Sequence, residues 1–165
     1  MEYKEVLNKL AQMDVPRDIL DLIFNMGEIK EIKNRDILVN SGDKCQKVFF
    51  ILKGGFVSQY LTINGDEKTN NFFLEHFNSR MVCFDSFLKD VPTKFQLKAI
   101  SDAKIFVVEK SKLDKAEIIH PSLKEFHIHC LNEALHFESE LKNLLISHSS
   151  EELYLNLVAD YPEVV

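Results

Sequence analysis

The sequence holds no tryptophan, only five glycines, four prolines and three cysteines in 165 residues. Each shortage excludes something. Cys45, Cys83 and Cys130 are odd in number, widely spaced and free of any CxxC pair, which argues against a disulfide framework and against a zinc knuckle. Buried thiols packed as small hydrophobes are the expectation. Neither GxxxxGKS/T nor GxGxxG is present, and with only five Gly, all at turn positions, a phosphate cradle is hard to build. There is no GxSxG, and no Cys–His pair that the expected elements would bring together with an orienting third group. No run approaches the ~18 apolar residues of a membrane span. The first ten residues mix Lys and Glu instead of forming a charged and then apolar leader. A cytoplasmic chain with no membrane contact is expected. Basic residues are scattered (Lys+Arg 20 against Asp+Glu 26, net charge −6), so no stripe of positive charge awaits a phosphate backbone.

What is there suits one folded core with an appended element. A hydrophobic share of 45% with 28% charged residues is ordinary for a globular chain, and thirteen Phe are the one excess. Val6, Leu7, Leu10 and Ala11 recur at helical spacing over Tyr3 to Met13. Pro16 opens a second short helix carrying Ile19, Leu20, Ile23 and Phe24, with Gly27 as its stop. The period then changes to two. Strands are predicted over Ile29–Lys33, Asp36–Asn40, Lys47–Lys53, Phe56–Ile63, Lys68–Leu74, Phe95–Ile100 and Ala103–Glu109. Turn residues separate them, and Asn64-Gly65 gives the strongest hairpin signal. The fold class expected is mainly β with helices (α+β): a double-stranded β-helix or jelly roll flanked by short N-terminal helices and a long C-terminal helix.

After Asp114 the pattern turns helical, with Pro121 at a first turn and an apolar-periodic stretch from Leu123 to about His148. Leu123, His127, Cys130, Ala134, Phe137, Leu141, Leu144 and His148 alternate steps of four and three, the seam of a helix paired with its own copy. Phe126, Leu131, Leu135 and Leu145 lie off it, available to pack on the roll. Burying both faces calls for a homodimer, with Cys130, Ala134, Phe137, Leu141 and Leu144 at its interface. Ser149-Ser150-Glu151-Glu152 reads as the cap of one more helix, through Leu153, Tyr154, Leu157 and Val158. Three segments are expected: 1–118, the roll with its N-terminal helices; 119–149, the dimerisation helix; and 150–165, the start of a truncated further region.

The order of these elements resembles the Crp/Fnr family of transcription regulators, and the resemblance spans nearly the whole chain. It is carried by Gly42-Asp43, by Val48-Phe49-Phe50-Ile51-Leu52-Lys53-Gly54-Gly55, by Ser86-Phe87-Leu88, by Pro92 before the Phe95–Ile100 strand, and by Tyr161-Pro162-Glu163. It implies a cyclic-nucleotide-binding-like sensor domain, a homodimer, and DNA contact only through a helix-turn-helix domain absent from this chain. In such domains a loop between the sixth and seventh strands holds the ligand. There the resemblance calls for Gly at Val82, Glu at Cys83 and Arg at Thr93. Cys83 cannot accept ribose hydrogen bonds as a carboxylate does, Thr93 brings no charge to a phosphate, and Val82 puts a branched side chain where backbone approach is wanted. Lys94 and Arg80 are the nearest cations. Cyclic AMP is therefore not the expected ligand; the loop, Val82, Cys83, Phe84, Asp85, Ser86, Phe87, Thr93 and Lys94, is the candidate pocket for another small-molecule effector or is filled by its own side chains.

A metal reading is weak. His127 and His129 are two apart on a helix and point opposite ways; His129, Glu133 and His136 share a face, a constellation more often solvated than ligating. No metal, no cofactor and no enzyme activity are expected. A cupin-like metal-dependent jelly-roll enzyme and a stand-alone protein-interaction scaffold are the alternatives.

Overall fold

The computed structural model describes residues 2–162, side chains from Tyr3 onward. Helix α1 (Glu2–Gln12), a 3-10 turn (Arg17–Ile19) and α2 (Leu20–Met26) lead into β1 (Gly27–Ile32) and β2 (Ile37–Val39). There follow β3 (Lys47–Lys53), β4 (Gly55–Leu61), β5 (Glu67–Leu74), β6 (Arg80–Val82), α3 (Phe84–Lys89), β7 (Phe95–Ala99) and β8 (Ala103–Glu109). Helices α4 (Lys110–Ile119), α5 (Pro121–Ser147) and α6 (Ser150–Asp160) complete the described chain. It divides into two compact units, Met1–His120 and Pro121–Val165.

In the first unit the strands form two four-stranded antiparallel sheets, ordered β1-β8-β3-β6 and β2-β7-β4-β5. This is the jelly roll expected from the strand pattern. Between the sheets lies a core that includes Phe49, Ile51, Phe56, Phe73, Met81, Leu97, Ile105 and Val107. Strands β3 and β8 read as unbroken apolar runs, Phe49 to Leu52 and Ile105 to Val108, because both of their faces are covered. Phe106 faces away from the roll interior, stacked on Phe24 of α2 at 5.9 Å and tilted against Phe50 at 6.2 Å, while Tyr3 meets Phe24 edge-on at 4.7 Å. Gly27 makes this arrangement possible, since a Cβ there would stand 2.1 Å from the tip of the Phe106 ring. A residue read from sequence as a helix stop is thus also the first residue of β1, kept bare by an aromatic ring.

The Asn64-Gly65 signal corresponds to the β4–β5 turn. Gly65 has φ +84°, its N–H donates to Thr62 O at 2.9 Å, and the Thr62 N–H donates to Asp66 O at 2.9 Å. Ile63, predicted as the last residue of a strand, is fully exposed at this turn. Two short elements carried no periodic signal: β6, three residues paired with β3 through Val48↔Val82, Phe49↔Met81 and Phe50↔Arg80, and the six-residue α3. The C-terminal helices begin earlier than predicted, at Lys110, where Nζ bonds the Asp114 carboxylate one turn on at 2.6 Å.

His120 is extended (φ −119°, ψ 93°), as a residue ahead of proline prefers, and Pro121 opens α5. Ser149 caps α6 with a complete capping box: its Oγ accepts from Glu152 N–H, and the Glu152 carboxylate accepts from Ser149 N–H at 2.8 Å. That bond holds the Glu152 carboxyl below its usual range. Among the described residues no helix is long and apolar enough to cross a membrane.

Candidate functional site

The loop singled out from sequence runs from β6 through α3 to β7. Four of its side chains turn inward, and its polar groups make hydrogen bonds within the protein. Cys83, the residue ahead of α3, is buried, as are Ser86, Phe87 and Thr93. The fully buried Ser86 hydroxyl accepts from Cys45 N–H at 2.7 Å, and the Gln46 side-chain amide donates to Ser86 O. Thr93 N–H donates to Asp43 O at 2.9 Å, and Thr93 O accepts from Gly42 N–H at 2.8 Å. Ser41 Oγ donates to Lys94 O at 3.1 Å, and Lys44 Nζ reaches Asp90 at 3.2 Å. A second segment, the β2–β3 connection from Asn40 to Gln46, is thereby stapled along the candidate loop.

Asp85 closes the loop on itself, accepting from Ser86 N–H at 2.8 Å and from Lys94 N–H at 3.0 Å. The Thr93 hydroxyl accepts from Phe95 N–H at 3.3 Å. Phe87 lies under the Lys110 ammonium, 5.4 Å from the ring centroid. Val82 is half-buried in β6 opposite Val48, while Phe84 and Lys94 are exposed. Of the nearby cations, Arg80 sits in β6 opposite Phe50 and Lys94 stands outside the buried group. Among the described residues no buried side-chain nitrogen or oxygen lacks a hydrogen-bond partner, so the loop carries no orphaned polar atom aimed at a ligand.

Sequence reasoning grouped Cys83, Ser86 and Thr93, and the fold brings them together. It missed Cys45. Cys45 shares the buried core cluster of Cys83, and only the β3–β6 pairing, invisible in a three-residue strand, would have signalled it. The neighbouring Cys45 pushes the Cys83 thiol above its ordinary range, with burial acting in the same direction. Cys45 is lowered by the neighbouring Cys83 and by the Lys47 backbone N–H and charge, against the opposing effect of burial.

Beside Cys45 opens a cavity of about 190 Å³. Its apolar wall is Leu38, Val39, Phe49 and Val107. Lys30, Lys44 and Lys47 supply three cations against the single carboxylate of Asp43. The candidate loop residues 82–94 do not line it. Among the described residues no three His, Cys, Asp or Glu side chains converge as ligands for a metal ion.

On α5 Leu123 and Phe126 are buried, but other apolar side chains of α5 and α6 are exposed. Ile128, Leu135, Leu144, Leu145 and Ile146 are 45–75% exposed, as are Tyr154 and Leu155 on α6. Of the seam residues, Cys130, Ala134, Phe137 and Leu141 are half-buried and Leu144 is exposed.

No protein-family model matches the chain, and no curated protein does. Solved structures do. A cyclic nucleotide-binding domain from Methylobacillus flagellatus KT superposes with a TM-score of 0.72 at 14% identity, over 90% of this chain and 85% of that one. The sensor domain of the transcriptional regulator DNR from Pseudomonas aeruginosa gives 0.66 at 14% identity, over 85% and 95%. The regulatory domain of Toxoplasma gondii PKA, solved with cAMP, gives 0.59 at 14% identity over 69% of this chain; the present chain spans only 44% of its length. At such identities the likeness is one of fold: the chain is a cyclic-nucleotide-binding-type jelly roll with a long C-terminal helix.

Proposed function

We propose that the chain is the effector-sensing and dimerisation module of a Crp/Fnr-type transcription regulator, that it has no catalytic activity, and that its ligand is not a cyclic nucleotide. The observation that carries this reading is the loop between β6 and β7. Cys83 and Thr93, at the positions where the resemblance calls for the ribose and phosphate ligands, are buried side chains, 5% and 2% exposed. The loop polar groups described above are bonded within the protein. A cyclic nucleotide would have to break these bonds and bring its anionic phosphate to a loop that offers no Arg. The cavity beside Cys45, at about 190 Å³, is below the ~300 Å³ where pockets for drug-sized ligands begin, which favours a smaller effector.

In this reading α5 pairs with the α5 of a second copy through Cys130, Ala134, Phe137, Leu141 and Leu144. DNA contact belongs to a separate domain, consistent with a net charge of −6. Signalling is a shift of the helix pair driven by the loop stapled to the β2–β3 connection. Thermal-shift titration with cyclic AMP and cyclic GMP tests the ligand claim, since any ligand preferring the folded state raises the melting temperature. No shift is expected with either nucleotide; a saturable shift with one of them overturns the reading.

A further inference from the structure

Cys45 and Cys83 lie 38 positions apart in sequence, yet both are free, buried and members of the same core cluster. The backbone holds them there. Val48 of β3 pairs with Val82 of β6, which brings the residues just before β3 alongside the residue just after β6. Cys45 N–H is then bonded to Ser86 Oγ at 2.7 Å, on the short helix that Cys83 precedes. A disulfide of about 2.05 Å between them would join the two segments that this bond already staples.

The two thiols are not equivalent. Cys45 has the neighbouring Cys83, then the Lys47 backbone N–H and charge, acting to lower its pKa, while the neighbouring Cys45 and burial push the Cys83 thiol up. Of the two, Cys45 is the one on the wall of the cavity, whose volume is about 190 Å³ and whose other walls carry Lys30, Lys44 and Lys47. With each liquid water occupying about 30 Å³, that space admits hydrogen peroxide or a small organic hydroperoxide.

We propose that Cys45 and Cys83 form a peroxide-responsive dithiol, in which Cys45 reacts within the lysine-rimmed cavity and Cys83 resolves the product. The Cys45 thiolate attacks one oxygen of the hydroperoxide; the O–O bond breaks, the leaving oxygen takes a proton and departs as water or an alcohol, and Cys45 becomes a sulfenic acid. The Cys83 sulfur then attacks the Cys45 sulfur, the S–O bond breaks, the leaving hydroxide takes the Cys83 thiol proton and departs as water, and a disulfide forms in which each sulfur has lost one electron relative to the two starting thiols. A dithiol reductant restores both thiols and is itself oxidised to a disulfide. The bridge converts a hydrogen-bonded staple between the β2–β3 connection and the candidate loop into a covalent one. The switch acts whatever effector the domain binds.

The test uses the whole chain with Cys130→Ser, which removes the third thiol. After brief exposure to hydrogen peroxide, unreduced tryptic digestion should give peptide 45–47 linked to peptide 81–89, and dithiothreitol should release them. Adding Cys83→Ser should let dimedone label Cys45 as sulfenic acid; adding Cys45→Ser should leave Cys83 unlabelled. If Cys83→Ser fails to fold by circular dichroism, the linkage in the Cys130→Ser chain decides alone. Two free thiols in a folded, peroxide-treated Cys130→Ser chain, linkage found only after denaturation, or dimedone on Cys83 in preference to Cys45 would each overturn the proposal.

Discussion

The two compact units treat the same kind of residue in opposite ways. In the roll, Phe49 through Leu52 and Ile105 through Val108 form continuous apolar runs and all eight are buried. In the helical unit Leu135, Leu145 and Ile146 are 60–75% exposed. The roll satisfies itself within one chain: two sheets cover one face of each central strand, and the aromatic pairs around Phe106 cover the other face of the first sheet. The long helix keeps apolar surface that one chain leaves in water. The difference teaches that the roll rests on packing completed within the chain, whereas the helical unit leaves apolar surface that, in the function proposed above, a second copy would cover.

The largest expected effect breaks the roll side of that contrast. Phe106→Ala removes a ring with 1% exposure from between Phe24, Phe50 and Gly27, and should cost about 3–5 kcal/mol of stability. Leu135→Ala, on a side chain 73% exposed, should change the stability of a dilute monomer by less than about 0.5 kcal/mol. Chemical denaturation of both variants measures the gap; equal losses would erase the comparison.

Leu144→Glu sharpens the other side. The side chain is 45% exposed, so the protomer should keep its fold. In a paired seam the substitution places two carboxylates in an apolar interface, weakening association by roughly a hundredfold or more, about 2.7 kcal/mol. Sedimentation velocity should show monomers where the parent chain dimerises. An unchanged dimer removes the seam from the account.

Ser86→Ala probes the staple within the roll. It leaves the buried Cys45 N–H without its 2.7 Å partner, a loss of about 1–3 kcal/mol. Urea denaturation reads the loss, and faster amide exchange should be confined to residues 40–46 and 83–94.

The smallest effect is at the α6 cap. Ser149→Ala should cost local helix stability of about 1 kcal/mol, seen as fraying of α6 by amide exchange. The pH dependence follows from Glu152, whose folded pKa is lowered by its bond to Ser149 N–H and then by the Ser149 side chain. Its contribution is fully present above the ordinary carboxylate value and is lost as pH falls through the lower, folded value. Fraying of α6 should therefore increase in acid, and Glu152→Gln should flatten that response.

Much of this architecture was legible in the sequence wherever burial was one-sided or turn chemistry was sharp. Asn64-Gly65 gave its hairpin, Pro121 its helix start and Ser149 with Glu152 its capping box, because each acts through bonds within a few residues. The strand β6 and helix α3 were not legible: three and six residues are too few to display a period, and both are specified by partners far along the chain. The same reason hid Cys45 from the candidate site. Its neighbours Cys83 and Ser86 are some forty residues away, and only the stapling of two loops joins them. The loop's lack of ligand-type side chains could be read directly; where those side chains turn could not.

The central claim is that the roll completes itself while the long helix is completed by a second copy. Native-state hydrogen exchange at a series of protein concentrations tests it most directly. Amides of the roll, such as those of β3 and β8, should exchange at rates independent of concentration, while protection across residues 123–147 of α5 should rise as the protein is concentrated. Protection of α5 that stays constant while the protein remains folded at every concentration would contradict the account.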